Sequence, residues 1–284
     1  MKIKDLRTNF IDSLSGIYDS EEILSFFYIL SEDILNLKRV DVAMRLDQGV
    51  SVKQIEIFDK IKQRLEKQEP IQYILGQAHF YGMSFKVTPD VLIPRPETEE
   101  LVDWILKDVP KEASLNILDI GTGSGCIAVS LAKNLPKARV YAIDVSERAL
   151  EVAKENAKSN KVKVTFIKED ILKVESLFQK FDILVSNPPY VREMERQEMK
   201  PNVLNNEPSL ALFVSDKDPL LFYEKIAILA NEKLNNKGVL YFEINQYLSF
   251  ETKKKVEELG FTSVEVREDI FGNKRMIKAY ACEK

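Results

Sequence analysis

An α/β fold, with a doubly wound and largely parallel sheet behind a small N-terminal helical bundle, is the architecture predicted by this 284-residue sequence. Three observations predict it. Residues 1–70 carry apolar stripes at helical spacing and little β-branched clustering. From residue 115 onward, short apolar strands alternate with helix patterns. Each of those strands ends at a polar or acidic residue, as parallel strands with a functional C-terminal edge do. The length suits one large domain and a smaller one. With 45% hydrophobic and 30% charged residues, the composition is that of a soluble globular chain. No apolar run approaches the roughly eighteen residues needed to span a bilayer. The charged, amphipathic start MKIKDLRTNFIDSL lacks the apolar core and cleavage site of a secretory signal. A cytoplasmic protein with no membrane partner is expected.

The elements follow in order. Leu6, Phe10 and Leu14 form one stripe and Ile23, Leu24, Phe27 and Leu30 a second. Ile55, Phe58, Ile61 and Leu65 form a third, which Pro70 closes; residues 1–70 are therefore read as a helical bundle. Residues 71–95 mix aromatic and β-branched residues with Gly76, Gly82 and Pro89, and predict a β-hairpin linker. Residues 96–284 form the third region. It opens with a helix near Glu97, where Pro96 suits the first turn and Glu97, Glu99 and Glu100 suit the positive end of the helix dipole. The strands SLNILDI, ARVYAID, KVTFIKED and FDILVSN come next, with helices at 124–134 and 146–159. A helix at 218–235, a strand at 239–244, a helix at 247–259 and strands at 262–268 and 274–282 complete the series. The last two strands have no room for a crossover helix between them and are expected to pair antiparallel at the sheet edge.

Several function classes are excluded or disfavoured. Cys126 and Cys282 stand far apart without CxxC or Cys/His company, so neither a disulfide framework nor a metal site is expected. Cys126 reads as a small buried packing residue. His79 has no ionisable neighbour in QAHFYG and reads as a turn or packing residue, not an acid or base. The net charge of −4 argues against affinity built on neutralising many phosphates, so nucleic acid is not the expected partner.

Two constellations carry chemistry. Asp119 precedes Ile120 and then Gly121-Thr122-Gly123-Ser124-Gly125, which follows a buried-type strand and opens a helix. Glycines there turn the backbone tightly and leave space for a ligand. The spacing is neither that of a dinucleotide fingerprint nor that of a P-loop. The next strand ends in Asp144, placed to accept from ribose hydroxyls, and the third ends at Glu169-Asp170-Ile171, where Asp170 and Ile171 could hold an adenine edge. An adenosine-bearing ligand is indicated. The second constellation, Asn187-Pro188-Pro189-Tyr190, directly follows the strand FDILVS and so projects into the same crevice. A planar NH₂ group is a poor nucleophile because its lone pair is delocalised. Acceptors from the Asn187 side chain and the Pro188 carbonyl can hold its two N–H groups, Tyr190 can stack on its planar face, and the prolines stiffen the loop. The chemistry expected is methyl transfer from a sulfonium to such a nitrogen, on adenine, guanine or glutamine.

The chain resembles the protein-(glutamine-N5) methyltransferases of peptide chain release factors, the HemK or PrmC family. The resemblance rests on Ile71-Gln72-Tyr73-Ile74-Leu75-Gly76, Phe80-Tyr81-Gly82, Leu92-Ile93-Pro94-Arg95-Pro96-Glu97-Thr98-Glu99, Asp119 to Gly125 and Asn187 to Tyr190. It continues through Glu207-Pro208, Ala211-Leu212-Phe213, Asp269, Gly272 and Arg275. It implies a class I S-adenosylmethionine-dependent methyltransferase fold, Rossmann-like with an antiparallel edge strand, and release factors as protein substrates. It also implies a helical domain that recognises them, and S-adenosyl-L-methionine as methyl donor with S-adenosyl-L-homocysteine as product. By the same resemblance Gly121 to Gly125, Asp144, Asp170 and Ile171 bind the donor, and Asn187 to Tyr190 hold the glutamine amide, with Asn187 near both ligands. A monomer is expected. This chain departs from the family pattern at Phe213 to Pro219, where a glycine-rich stretch is usual, and at Asn245-Gln246, where a glycine or histidine is common. Arg95 stays open between closing the donor pocket and pairing with an acid. The alternatives are a DNA or RNA amino-methyltransferase and a non-catalytic donor-binding adaptor.

Overall fold

The computed structural model describes residues 1–282. Residues 283 and 284, which the sequence places in the third region, lie outside the described residues. Contacts divide the chain into two compact units, Met1–Leu75 with Pro201–Asn206, and Gly76–Lys200 with Glu207–Lys284.

The first unit is helical: α1 (Ile3–Leu14), α2 (Ser20–Leu35), α3 (Arg39–Met44), α4 (Val52–Leu65) and α5 (Ile71–Leu75). Local chemistry sets the starts, since Asp19 accepts from the Glu22 N–H at the head of α2, and Ser51 with Gln54 forms a capping box on α4. The three apolar stripes meet in one core, where the rings of Phe10, Phe27 and Phe58 pack at centroid distances of 5.8–6.2 Å. Residues 71–75 differ from the expected strand. Pro70 does not end helical structure: its carbonyl accepts the N–H groups of Tyr73 and Ile74, and buried Ile71 joins the bundle core. A β-branched, aromatic pentapeptide thus becomes a helical turn because its apolar side chains are buried in the bundle, a case of packing overriding propensity.

The hairpin itself is shorter than expected. Strands β1 (Gln77–Phe80) and β2 (Met83–Lys86) pair antiparallel through the turn at Tyr81-Gly82. His79 lies exposed on β1, in neither a turn nor a packed position.

The second unit then winds α6 (Pro96–Asp108), β3 (Asn116–Ile120), α7 (Cys126–Asn134), β4 (Arg139–Asp144), α8 (Glu147–Ser159), β5 (Val164–Lys168) and β6 (Phe181–Ser186). The linking segment that follows holds β7 (Val191–Arg192), a 3₁₀ turn at Glu193–Glu198, α9 (Pro201–Asn206, grouped with the first unit), α10 (Ser209–Leu212) and β8 (Phe213–Val214). After it come α11 (Leu221–Lys233), β9 (Leu234–Glu243), α12 (Ser249–Glu258), β10 (Phe261–Glu268) and β11 (Lys274–Ala281). Seven strands form one sheet in the order β10-β11-β9-β6-β3-β4-β5, and β11 pairs antiparallel with both β10 and β9 as the missing crossover required. The near-continuous apolar runs of β3 and β6 follow from their central place, with both faces covered.

Strand order reverses between β3 and β6, and this switch point locates the site. Ile120 pairs with Ile143 on one side and Ser186 on the other, and Ser186 pairs with Phe242. The chain therefore leaves β3, β4, β6 and β9 at one level. Gly121, Asp144, Asn187 and Glu243 are the residues that stand there.

Candidate active site

The strand ends open on a cavity of about 380 Å³, within the usual range for small-molecule sites. Gly121, Thr122, Gly123 and Ser124 form part of its wall, with Asp144, Asp170, Ile171, Asn187, Pro188 and Pro189. Gly121 and Gly123 have φ of +74° and +54°, and a Cβ on either would meet no protein atom within 4 Å. The loop thus leaves open the space that side chains would fill.

The loop is held from below. Gly121 and Thr122 donate their N–H groups to the Ile143 carbonyl at 2.9 and 3.0 Å. Buried Asp119 accepts the Thr122 hydroxyl at 2.6 Å and the Ala128 N–H at 3.2 Å. Burial pushes the Asp119 carboxyl up to about 7, against the pull of those two donors. Asp144 accepts from Gly123 N–H at 2.8 Å through one oxygen and from Ser146 N–H at 2.9 Å through the other. Each carboxylate oxygen keeps a lone pair for a further donor. Burial raises the Asp144 carboxyl, whereas the ammonium of Lys173, 2.8 Å away, holds Asp170 below the ordinary carboxylate range.

Opposite the loop, Asn187 donates its Nδ2 to Thr98 Oγ1 at 3.2 Å, and the Thr98 hydroxyl donates to Glu243 at 2.6 Å. Tyr190 donates its hydroxyl to the other Glu243 oxygen at 3.0 Å, and the Tyr223 hydroxyl donates to the Glu243 carbonyl at 3.2 Å. Burial raises the Glu243 carboxyl, while the Thr98 and Tyr190 donors and the Arg275 guanidinium pull it back down. Asn245, one of the departures from the family pattern, donates to the Tyr190 carbonyl at 3.0 Å and to Glu195 at 2.9 Å, so it anchors the far end of the loop. The other departure also has a defined place, since Phe213–Val214 pairs with Val191–Arg192 as a short parallel ladder.

Two residues assigned to the site stand off the cavity wall. Gly125 (φ +80°) caps the start of α7, and a Cβ there would lie 3.0 Å from the Ala153 Cβ, so it provides close packing of α7 on α8 and not ligand space. Tyr190 stands behind the wall with its hydroxyl tied to Glu243 and its ring against the sheet core, which leaves the cavity face of the motif to Asn187, Pro188 and Pro189. At Arg95 the structure shows the pairing with an acid: its guanidinium meets buried Glu207 at 2.5 Å, Glu207 also accepts the Ile93 N–H, and Arg95 lines the cavity. Cys126 lines the cavity too, with burial pushing its thiol up to about 12, which agrees with an inert packing role.

The model of the methyltransferase small domain matches residues 100–269, and that of the PrmC N-terminal domain matches residues 5–76. A release factor glutamine methyltransferase of Flavobacterium psychrophilum is 54% identical over 98% of this chain and 99% of its own. Those of Bacteroides thetaiotaomicron and Streptococcus pneumoniae are 47% and 42% identical, covering 94% and 98% of this chain and 96% and 98% of theirs. The chain belongs to the release factor glutamine methyltransferase family. Solved structures agree on the fold. A Pyrococcus furiosus methyltransferase superposes with a TM-score of 0.51 at 21% identity, covering 78% of this chain and 98% of its own. A 16S rRNA methyltransferase of Thermus thermophilus superposes with a TM-score of 0.54 at 17% identity over 72% of this chain and 50% of its own. In this member of the family, residues of the cavity wall that no local motif marked come from distant elements: Leu210, Phe222 and Ile226 add apolar surface. Thr98, in the first turn of α6, has both a place on the wall and a bond to Asn187.

Proposed function

We infer that this chain transfers a methyl group from S-adenosyl-L-methionine to the side-chain amide nitrogen of the glutamine in the Gly-Gly-Gln motif of peptide chain release factors. One juxtaposition carries the reading. The Asn187-Pro188 acceptors and the Gly121–Ser124 loop open on the same cavity, from adjacent strands in register, in a chain of this family.

The residues suit the donor. Open space above Gly121 and Gly123, carboxylates at Asp144 and Asp170, and apolar surface from Ile171, Phe222 and Ile226 fit hydroxyls, amines and a planar base. Asp144 would accept from the ribose, and Asp170 with Ile171 would take the adenine edge. S-adenosyl-L-methionine supplies a methyl group on a positively charged sulfur and leaves as S-adenosyl-L-homocysteine. On the substrate side, Asn187 Oδ1 and the Pro188 carbonyl accept the two N–H groups of the glutamine amide. Neither is a base. They polarise the N–H bonds, push electron density toward nitrogen and fix the plane of the amide, and the consecutive prolines keep the acceptors in place. Orientation of the amide toward the donor is the part of the barrier lowering that these residues supply. With a release factor as substrate, the enzyme would act in the cytoplasm.

Labelled S-adenosyl-L-methionine, this protein and an unmethylated release factor test the reading, with Gly-Gly-Gln intact or changed to Gly-Gly-Ala. Label is expected in the intact factor alone. No label in either, with donor binding confirmed, would sink it.

A further inference from the structure

We propose that Thr98 and Glu243 act as a positioning relay that dictates which end of the Asn187 carboxamide faces the substrate. The proposal rests on the reading that Asn187 holds the glutamine amide. The two ends of an asparagine side chain are almost equal in shape and opposite in hydrogen bonding. With Oδ1 forward, Asn187 accepts from the substrate NH₂. With Nδ2 forward, two donors face each other and the substrate is not held. Something must set the polarity of this residue.

The buried carboxylate of Glu243 does so. It is the residue after Phe242, which pairs in register with Ser186, so it stands beside Asn187 on the neighbouring strand. A carboxylate only accepts. It takes the Tyr190 hydroxyl proton on one oxygen and that of Thr98 on the other. A threonine hydroxyl has one proton, and once that points at Glu243 its oxygen can only accept from Asn187. The Asn187 Nδ2 at 3.2 Å supplies the donor. A flipped Asn187 would set two acceptors against each other at that distance. The groups facing Glu243 are Thr98 and Glu97 on α6, Tyr190 on the loop after β6 and Arg275 on β11. Arg275 is the cation among them, and it favours the charged, accepting form. A buried charge is costly to keep, and here its polarity passes through one hydroxyl to the amide that meets the substrate.

The same carboxylate fixes Tyr190, so one group orders both ends of the Asn187–Tyr190 loop. Glu243 lies off the cavity wall, and Thr98, although it reaches the wall, has its hydroxyl committed to Glu243 and Asn187, which makes the pair positioning residues.

The test compares full-length Thr98→Val, Thr98→Ser and Asn187→Ala with the wild type. The readouts are methyl transfer to an unmethylated release factor, S-adenosyl-L-methionine affinity by calorimetry, and thermal unfolding. Thr98→Val keeps the side-chain shape and removes the hydroxyl. It is expected to lower kcat by about 10- to 100-fold, as loss of one to two hydrogen bonds' worth of orientation does, with donor Kd within about twofold. Thr98→Ser restores the hydroxyl and should recover most of the loss. Equal impairment of Val and Ser, full activity in Thr98→Val, or a loss explained wholly by donor binding would overturn the relay. If Thr98→Val does not fold, Thr98→Ala is read against the same outcomes. Asn187→Ala separates the two ideas. Activity in that variant removes the amide-holding reading itself, whereas an inactive Asn187→Ala beside an active Thr98→Val removes only the relay.

Discussion

Two glycines in one loop should fail for different reasons, and the structure says by how much. Gly121 and Gly125 both have positive φ, +74° and +80°. Alanine in that region costs roughly 1–2 kcal/mol in either place. Beyond that the positions diverge. A Cβ at Gly125 would sit 3.0 Å from the Ala153 Cβ and 3.3 Å from its Cα, between two packed helices where the backbone cannot retreat. Overpacking of that kind adds about 1–3 kcal/mol, so Gly125→Ala should cost about 2–5 kcal/mol in all. A Cβ at Gly121 meets nothing and lies on the cavity wall, so Gly121→Ala should cost only about 1–2 kcal/mol in stability while occupying ligand space. Its S-adenosyl-L-methionine Kd should rise by about tenfold or more, or about 1.4 kcal/mol. The sole tryptophan makes the stability assay specific to this unit, because Trp104 is buried in the sheet core against Tyr241. Urea unfolding followed by Trp fluorescence, beside calorimetric titration of the donor, separates the two costs. Equal urea midpoints for the two variants would refute the packing argument. Weakened donor binding in Gly125→Ala at unchanged stability would return Gly125 to the ligand.

Three more expectations use the same readouts. Asp144→Ala should raise donor Kd by about 5- to 150-fold, the equivalent of 1–3 kcal/mol for a lost charge-assisted hydrogen bond, and an unchanged Kd would mean the ribose lies elsewhere. Asp119, pushed up to about 7 by burial, holds its proton in the folded state at pH values where the unfolded chain has released it near pH 4. Its contribution to stability is therefore greatest below about pH 4 and declines as pH rises toward 7. Wild type should lose more stability than Asp119→Asn between pH 5 and pH 8, by a few kcal/mol, and parallel pH profiles would contradict the burial effect. Arg95→Ala strands the buried Glu207 carboxylate with only the Ile93 N–H, and should cost about 2–4 kcal/mol; adding Glu207→Gln should recover part of it.

Much of the fold was legible because its signals are local. Buried parallel strands must be apolar throughout, so NILDI and FDILVS announce themselves, and the lack of a crossover helix before the last strand forces the antiparallel edge. Boundaries were less legible, as the helical turn at Ile71–Leu75 shows, because its shape depends on the core it enters and not on its own residues.

The sequence alone determined the two loops, their residue types and the strands that carry them, since each is a run of neighbours whose chemistry is complete within a few positions. Tertiary structure alone decided which of those residues face the cavity. It turned Gly125 toward Ala153 and put Tyr190 behind the wall. It joined Thr98 to Glu243 across 145 residues and Arg95 to Glu207 across 112. The reason is physical: a hydrogen bond between residues so far apart leaves no periodicity in either segment, and it becomes visible only when sheet register brings their strands and helices to the same level.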